Sequence, residues 1–263
     1  MRPSGLRLAV TTFTVLPLRA GPVDRGTAGR AMLWAPVMGA LTGLVAAAVF
    51  AGAAQLGAGG LLAAVLAVGG TALFTRGLHL DGLADVADGL GSARPPAQAL
   101  EIMKRSDIGP FGVAAMLFVV LIQVAAVAEL AAPEAPAALS AGPLAALPVV
   151  PSALVIAYAS SRLAITWACL RGMPAARPGG LGAMVAGTVR LPAALAATLL
   201  LAGVAFAAGG PALVAVALAA PAAAFPLLWH VLRRLGGVTG DVLGALAETG
   251  TVVTLVVAAL VIP

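Results

Sequence analysis

The chain has 263 residues, of which 61% are hydrophobic and only 10% charged, and its mean hydropathy is +1.07. These proportions exclude a soluble globular domain and identify a polytopic membrane protein, and the single cysteine, Cys169, excludes an intramolecular disulfide. The net charge of +5 comes from basic residues scattered singly, so no nucleic-acid partner is expected and the lipid bilayer is.

In chain order, residues 1–30 carry Arg2, Arg7, Arg19, Arg25 and Arg30 around an apolar run from Leu8 to Leu18. A span needs about 20 apolar residues. Thr11, Thr12, Thr14 and Pro17 interrupt the run and no small-x-small cleavage site follows, so residues 1–30 are expected to be a retained cytoplasmic or interfacial segment. Spans are then expected over Ala31 to Ala53, Leu61 to about Leu78, Gly109 to Leu130, Leu139 to about Ser161, Leu191 to Ala208, Pro211 to Trp229 and Val242 to Ile262. Gly209 and Gly210 make the turn of a hairpin between the fifth and sixth. The expected fold is all-α, a polytopic bundle of about seven transmembrane helices forming one integral membrane domain over 1–263. All 15 Lys and Arg fall in the N-terminal segment or in connectors near 76–107, 162–190 and 233–234. The positive-inside rule then places the N-terminus and every polar motif on the cytoplasmic face, and the C-terminus outside.

The acidic segment 79–108 follows the second span. In RGLHLDGLADVADGLG, residues 76–91, Asp81, Asp85 and Asp88 are spaced i, i+4, i+7 and fall within roughly 60° of one another on a helix. Leu83, Val86 and Leu90 take the opposite side. Gly82, Gly89 and Gly91 each cost a helix about 1 kcal/mol relative to Ala, so local stability did not select them. They let something bulky approach, such as a phosphate carried on a metal ion. Carboxylates about 6 Å apart repel by roughly 3 kcal/mol per pair at an effective dielectric of 20, and a divalent cation removes that penalty. Mg²⁺ is the first candidate, on Asp81, Asp85 and Asp88, because it takes hard oxygen ligands and completes its shell with water and phosphate. The chain has only 10 Asp and Glu, and a plain solvated face would not gather three of them here.

Further polar constellations share that face. In LGGVTGDVLGALAE, residues 235–248, Gly236, Gly237 and Gly240 form a turn leading into a helix that Thr239 can cap, which makes a ready anion site. Asp241 and Glu248 repeat the i, i+7 spacing, and Glu248, two turns into a span, is expected to have a partner or a role. Lys104, Arg105 and Asp107 precede Gly109, Pro110, Phe111 and Gly112, and Ser160-Ser161-Arg162 precedes Arg177 and the glycines at 179, 180 and 182. Basic residues so placed suit a pyrophosphate, although topology alone also accounts for them. His79 and His230 lie far apart, no zinc spacing exists, and no GxSxG, GxGxxG or Walker A pattern occurs. Acid-rich, phosphate-binding chemistry is left.

HLDGLADVADGLGSAR, EIMKRSDIGPFGV, the SSR at 160–162, ARPGGLG and GGVTGDVLGA, in this order and spacing, resemble the adenosylcobinamide-GDP ribazoletransferase (cobalamin synthase) family over nearly the full length. The resemblance implies a Mg²⁺-dependent enzyme of late cobalamin assembly in the bacterial inner membrane, with its active site facing the cytoplasm. Such an enzyme joins adenosylcobinamide-GDP to α-ribazole or its 5′-phosphate and releases GMP, and it leaves room for a homo-oligomer. Carried onto this chain, Asp81, Asp85 and Asp88 would hold Mg²⁺. Asp107 or Asp241 would take the hydroxyl proton. His79, Lys104, Arg105, Arg162, Arg177, Gly236, Gly237, Thr239 and Gly240 would bind substrate or its phosphates. Many members carry Asp-Ser-Arg where this chain has Arg105-Ser106-Asp107, and an Arg where it has Val15. Two rival readings predict other features. A CDP-alcohol phosphotransferase wants DGxxAR, which this chain lacks at Asp81-Gly82, and a transporter wants charges near the midplane and repeated halves, whereas only Glu248 enters a span and no repeat is seen.

Overall fold

The structure, a computed structural model, describes residues 4–18, 21, 23–131 and 148–262. These residues form α1 (Gly5–Phe13), α2 (Arg25–Leu33), α3 (Ala35–Gln55), α4 (Gly60–Phe74), α5 (Leu78–Gly91), α6 (Pro96–Ile102), α7 (Pro110–Leu130), α8 (Val149–Ala168), α9 (Gly180–Val185), α10 (Leu191–Leu235) and α11 (Gly240–Val261). Extended pairing among them is limited to two isolated bridges, Leu170 with Val189 and Ala175 with Val238. The fold is an all-α polytopic membrane bundle.

Two buried clusters divide the bundle along its axis. One gathers Ala9 and Phe13 of α1, Ala35 and Met38 of α3, Leu83 and Val86 of α5, Ile165 and Ala168 of α8 and Val242 to Ala247 of α11. The other gathers Ala46 and Phe50 of α3, Ala63, Ala64 and Ala67 of α4, Val127 of α7, Leu154 of α8, Leu255 of α11 and Ile262 just after it. The first and last described segments therefore lie at opposite ends of the bundle. Around it, side chains such as Leu73, Phe118, Leu199, Leu200 and Phe225 remain more than half exposed, an apolar belt suited to lipid.

Five described helices are long and apolar enough to cross a membrane, or six if α4 and α5 together count as one broken span. That measure does not reach the expected seven, because α4 has only 15 residues and α10 counts once. Yet α10 is interrupted at the expected Gly209-Gly210, where Gly210 adopts φ 64°, ψ −151°. Ala194, Leu228, Val231 and Leu235 pack in the first cluster, and Ala205, Ala208, Leu213 and Val216 in the second, so this element runs out and back. Of the expected fourth span, residues 139–147 lie outside the described residues, as do Glu134, Arg2 and Arg19.

Packing of α3 on α8 is the most extensive helix pairing among the described residues and includes two glycines one turn apart. A Cβ at Gly43 would lie 2.6 Å from Val155 Cα, and one at Gly39 would run into the Tyr158 carbonyl. Small residues spaced this way let two backbones touch where lipid supplies no hydrophobic drive. Between α4 and α5 the chain bends by 88°. Arg76 (φ 58°) and Gly77 (φ 65°) are both left-handed there, and the Arg76 guanidinium donates to the Thr11 carbonyl at 3.1 Å. The bend lays α5 across the mouth of the bundle instead of continuing α4 through it.

Gly43→Val should therefore destabilise the detergent-solubilised protein by about 1–3 kcal/mol or more, read as a lowered thermal midpoint. Gly52→Ala, where a Cβ meets nothing within 4 Å, should leave the midpoint unchanged or raised. Equal losses from both would refute the α3–α8 contact.

Candidate active site

The three aspartates of α5 are not equivalent. Asp88 is buried and both of its oxygens are engaged: the Gly109 amide donates to Oδ2 at 2.7 Å and the Gly112 amide to Oδ1 at 2.9 Å. Those amides belong to the first turn of α7, which has no side-chain cap of its own. A carboxylate at a helix N-terminus satisfies orphan donors and meets the positive end of the dipole. Any Cβ at Gly109 or Gly112 would collide with this carboxylate, which explains both glycines of the GPFG stretch. Asp88, expected on the metal with Asp81 and Asp85, thus also fastens the start of α7, whereas Asp81 is exposed and Asp85 half-buried.

Asp241 joins them from α11. A Cβ at Gly82 would lie 2.7 Å from the Asp241 carbonyl oxygen, so the glycine after Asp81 is what admits the first turn of α11. Thr239 caps that turn, accepting from the Val242 amide at 3.2 Å and donating to Asp241 Oδ2 at 3.1 Å. Arg177 forms an ion pair with the same oxygen at 3.4 Å. Half-buried Asp85 feels all of this. Burial, then the Asp241 and Asp81 charges, raise its carboxyl from 3.8 to about 6, with Arg177 opposing and Asp88 adding a little. The electrostatic cluster is thus Asp81, Asp85 and Asp241 with Arg177. Among the described residues no group of three or more His, Cys, Asp or Glu side chains is placed to hold a metal ion.

The sequence reading put Arg162 in a cytoplasmic connector, but α8 continues to Ala168 and buries it. It can stay there because it has partners. Its Nη1 donates to Ser161 Oγ at 2.7 Å and Thr251 Oγ1 at 3.0 Å, Nη2 lies 3.4 Å from His79 Nδ1, and the guanidinium sits over the Tyr158 ring. Glu248 faces the same cavity of about 190 Å³, accepting from Gln123 Nε2 at 2.8 Å, which is the partner expected for it. His79 is buried against Phe13, ring planes 7° apart, and its pKa is held well below 6.5 by burial and then by the Arg162 charge. Neither His79 nor Arg162 reaches the surface.

The remaining expected residues separate. Lys104, Arg105 and Asp107 lie exposed on the turn between α6 and α7, and Arg105 and Asp107 border a cleft of about 210 Å³ with Asp88. They do not join Asp81. Gly236 ends α10 in the left-handed region at φ 81°, and Gly237 packs on the backbone of Ala175 and Ala176. Val238 N–H donates to Pro174 O at 2.9 Å and Ala176 N–H to Val238 O at 3.1 Å, stitching this turn to the Arg177 loop. Gly240 sits against Leu181 of α9. Sequence reasoning missed Phe13, Gln123, Tyr158 and Thr251. A lone glutamine inside VVLIQVAAV was the one visible signal.

A family model described as cobalamin-5-phosphate synthase matches residues 5–259. The chain belongs to this family. Among relatives of the cobalamin-5-phosphate synthase family, proteins named adenosylcobinamide-GDP ribazoletransferase from Frankia casuarinae, Nocardioides sp. and Bradyrhizobium diazoefficiens are 45%, 41% and 38% identical. The alignments cover 98%, 95% and 97% of this chain and 95%, 95% and 92% of those proteins. No solved structure matches.

The raised Asp85 carboxyl sets a pH dependence for the metal-free protein. Because its folded value exceeds its ordinary value of 3.8, the folded state holds this proton more tightly. The stability this provides is fully present below 3.8 and is lost as pH rises through about 6. In EDTA, the thermal midpoint of Asp85→Asn relative to the unmodified protein should therefore increase between pH 4 and pH 7, and a constant difference would refute the repulsive cluster.

Proposed function

We propose that this chain is a membrane-bound adenosylcobinamide-GDP ribazoletransferase, joining adenosylcobinamide-GDP to α-ribazole or its 5′-phosphate with release of GMP. The observation that carries the proposal is the full-length match to relatives of that name, together with the acid cluster that α5 and α11 build at one end of the bundle. We further propose that Mg²⁺ is required and binds Asp81 and Asp85. Their mutual repulsion with Asp241 is what supports it. When bound, the ion would neutralise charge on the pyrophosphate undergoing displacement.

The chain's own residues supply the rest. Arg177, held beside the cluster by Asp241, can swing its guanidinium onto a phosphate oxygen in a bidentate contact. Asp241, released from that pair, accepts the proton of the attacking ribazole hydroxyl. The oxygen of that hydroxyl forms the new P–O bond as the bond to the GMP oxygen breaks. Asp88 and Gly82 act by placement, fixing α5 against α7 and α11.

The reading also places the site on the cytoplasmic face of the inner membrane, supported by the gathering of basic residues in the connectors at that end. A reporter fused after Pro263 should then read as external and one after Gly91 as cytoplasmic, and both on one side would refute the orientation.

Activity gives the direct test. Purified protein supplied with adenosylcobinamide-GDP, α-ribazole and Mg²⁺ should release GMP and a cobalamin product. Asp85→Asn should lower turnover on the order of 100-fold or more, a loss of roughly 3 kcal/mol of transition-state stabilisation, while the protein still inserts and folds. Near-normal GMP release by this variant at saturating Mg²⁺ would remove Asp85 from the site.

A further inference from the structure

On the outer side of the bundle, α3 and α4 leave a groove between them of about 1140 Å³. The two helices are joined by a short turn, and a Cβ at Gly70 would already meet Val49 at 3.3 Å, so the floor of the groove is where they touch. Its walls include Leu56, Val65, Leu66 and Leu73, all of them exposed. Gly52 and Gly69 widen it, because a Cβ at either position meets nothing within 4 Å. Apart from Arg76, every residue lining it is Gly, Ala, Val or Leu. A ligand rich in polar groups would give up hydrogen bonds to water here and regain none, so the groove takes hydrocarbon.

Arg76 closes one end. Along α4 the lining runs from Val65 to Leu73 and on to Arg76 and Gly77 just beyond the helix, while Leu56 lies at the opposite end, in the turn between the two helices. Val65 to Leu73 covers about 12 Å at 1.5 Å per residue, and the turn to Arg76 brings the groove to about half of a 30 Å hydrocarbon core. It therefore has the length of an acyl chain in one leaflet, with its basic end at headgroup depth. Arg76 is exposed there. Its Nη2 donates to the Thr11 carbonyl at 3.1 Å, and the guanidinium carries further donors in the fork geometry that suits a phosphate. Among the described residues no carboxylate lines the groove to neutralise it.

We propose that this groove binds one anionic phospholipid, with an acyl chain between α3 and α4 and the headgroup phosphate on Arg76. Charge decides between this occupant and a second copy of the chain. Two copies in one membrane share an orientation, so a symmetric pair meeting groove to groove would set Arg76 against Arg76 at the same depth, with no carboxylate in the groove to part them. A phospholipid brings apolar length and the opposite charge together. Arg76 and Gly77 also form the bend that lays α5 across the mouth of the bundle, so a phosphate bound there fastens that bend from the lipid side.

Native mass spectrometry of the full chain in detergent, titrated with phosphatidylglycerol or with phosphatidylcholine of the same acyl chains, provides the test. The unmodified protein should retain a single phosphatidylglycerol with a Kd about fivefold below that for phosphatidylcholine, and soluble glycerol phosphate should not displace it. Gly52→Phe fills the groove from a position where a Cβ meets nothing, and should raise the phosphatidylglycerol Kd about tenfold while keeping the lipid-free thermal midpoint. Arg76→Gln keeps a donor for the Thr11 carbonyl and should bring the two lipids to within about twofold of each other, and Arg76→Lys should restore most of the preference. Saturating phosphatidylglycerol should raise the thermal midpoint of the unmodified protein and leave that of Gly52→Phe in place. Equal retention of both lipids by the unmodified protein, unchanged phosphatidylglycerol binding in Gly52→Phe, or displacement by glycerol phosphate would overturn the assignment. So would a dimer in lipid-free detergent that Gly52→Phe breaks and phosphatidylglycerol does not. Should Gly52→Phe fail to fold, Leu73→Trp at the exposed wall obstructs the groove instead and is read in the same way.

Discussion

The carboxylate of Asp88, accepting the amides of Gly109 and Gly112, ties the acidic helix α5 to the start of α7, and the geometry of the site follows from that tie. A helix lying across the mouth of a bundle has no continuous groove to hold it. Three polar or steric contacts hold this one: Asp88 at its far end, Gly82 against the α11 backbone in the middle, and His79 reaching Arg162 near its start. Each uses a residue that α5 intrinsically disfavours or that an apolar interior penalises. Glycine weakens the helix by about 1 kcal/mol, and a buried carboxylate is tolerable only with donors on it. The same contacts hold Asp81 and Asp85 in fixed register with Asp241, against their mutual repulsion.

Charge inside the bundle follows the same rule. Arg162 and Glu248 are buried among apolar helices, and each is hydrogen-bonded, to Ser161 and Thr251 on one side and to Gln123 on the other. Lone ions there would cost several kcal/mol. The network links α8, α11 and α7, and through His79 it reaches the helix that carries the acids. One set of polar contacts therefore connects the interior of the bundle to its mouth.

The close approaches are carried by glycine. Gly39 and Gly43 bring α3 onto α8, Gly82 brings α5 onto α11, and Gly237 brings the turn before α11 onto the Arg177 loop. In a membrane, where apolar area drives helices together weakly, such backbone proximity replaces the large side-chain interdigitation of a soluble core. The loops around the candidate site and the spanning helices are built by one device.

Much of this was legible in the sequence. Composition and the length of the apolar runs determine an all-α membrane bundle, because lipid leaves backbone groups no partner but their own helix. The hairpin at Gly209-Gly210 was legible because two adjacent glycines interrupt an otherwise unbroken apolar stretch. The acidic face of α5 followed from i, i+4, i+7 spacing, and the family from motifs in order along the chain. Only the tertiary structure decided how those residues divide their work. Periodicity makes Asp81, Asp85 and Asp88 look alike, but Asp88 meets the amides of α7, which are distant in sequence, while Asp241 arrives from α11 to take the place beside Asp85. Likewise an arginine at 162 reads as a topological marker until Ser161, Thr251, Tyr158 and His79 are seen around it. Spacing along one helix reports which side chains share a face, whereas their protonation, ligands and partners depend on the helices that pack against that face, and those contacts are set by the fold.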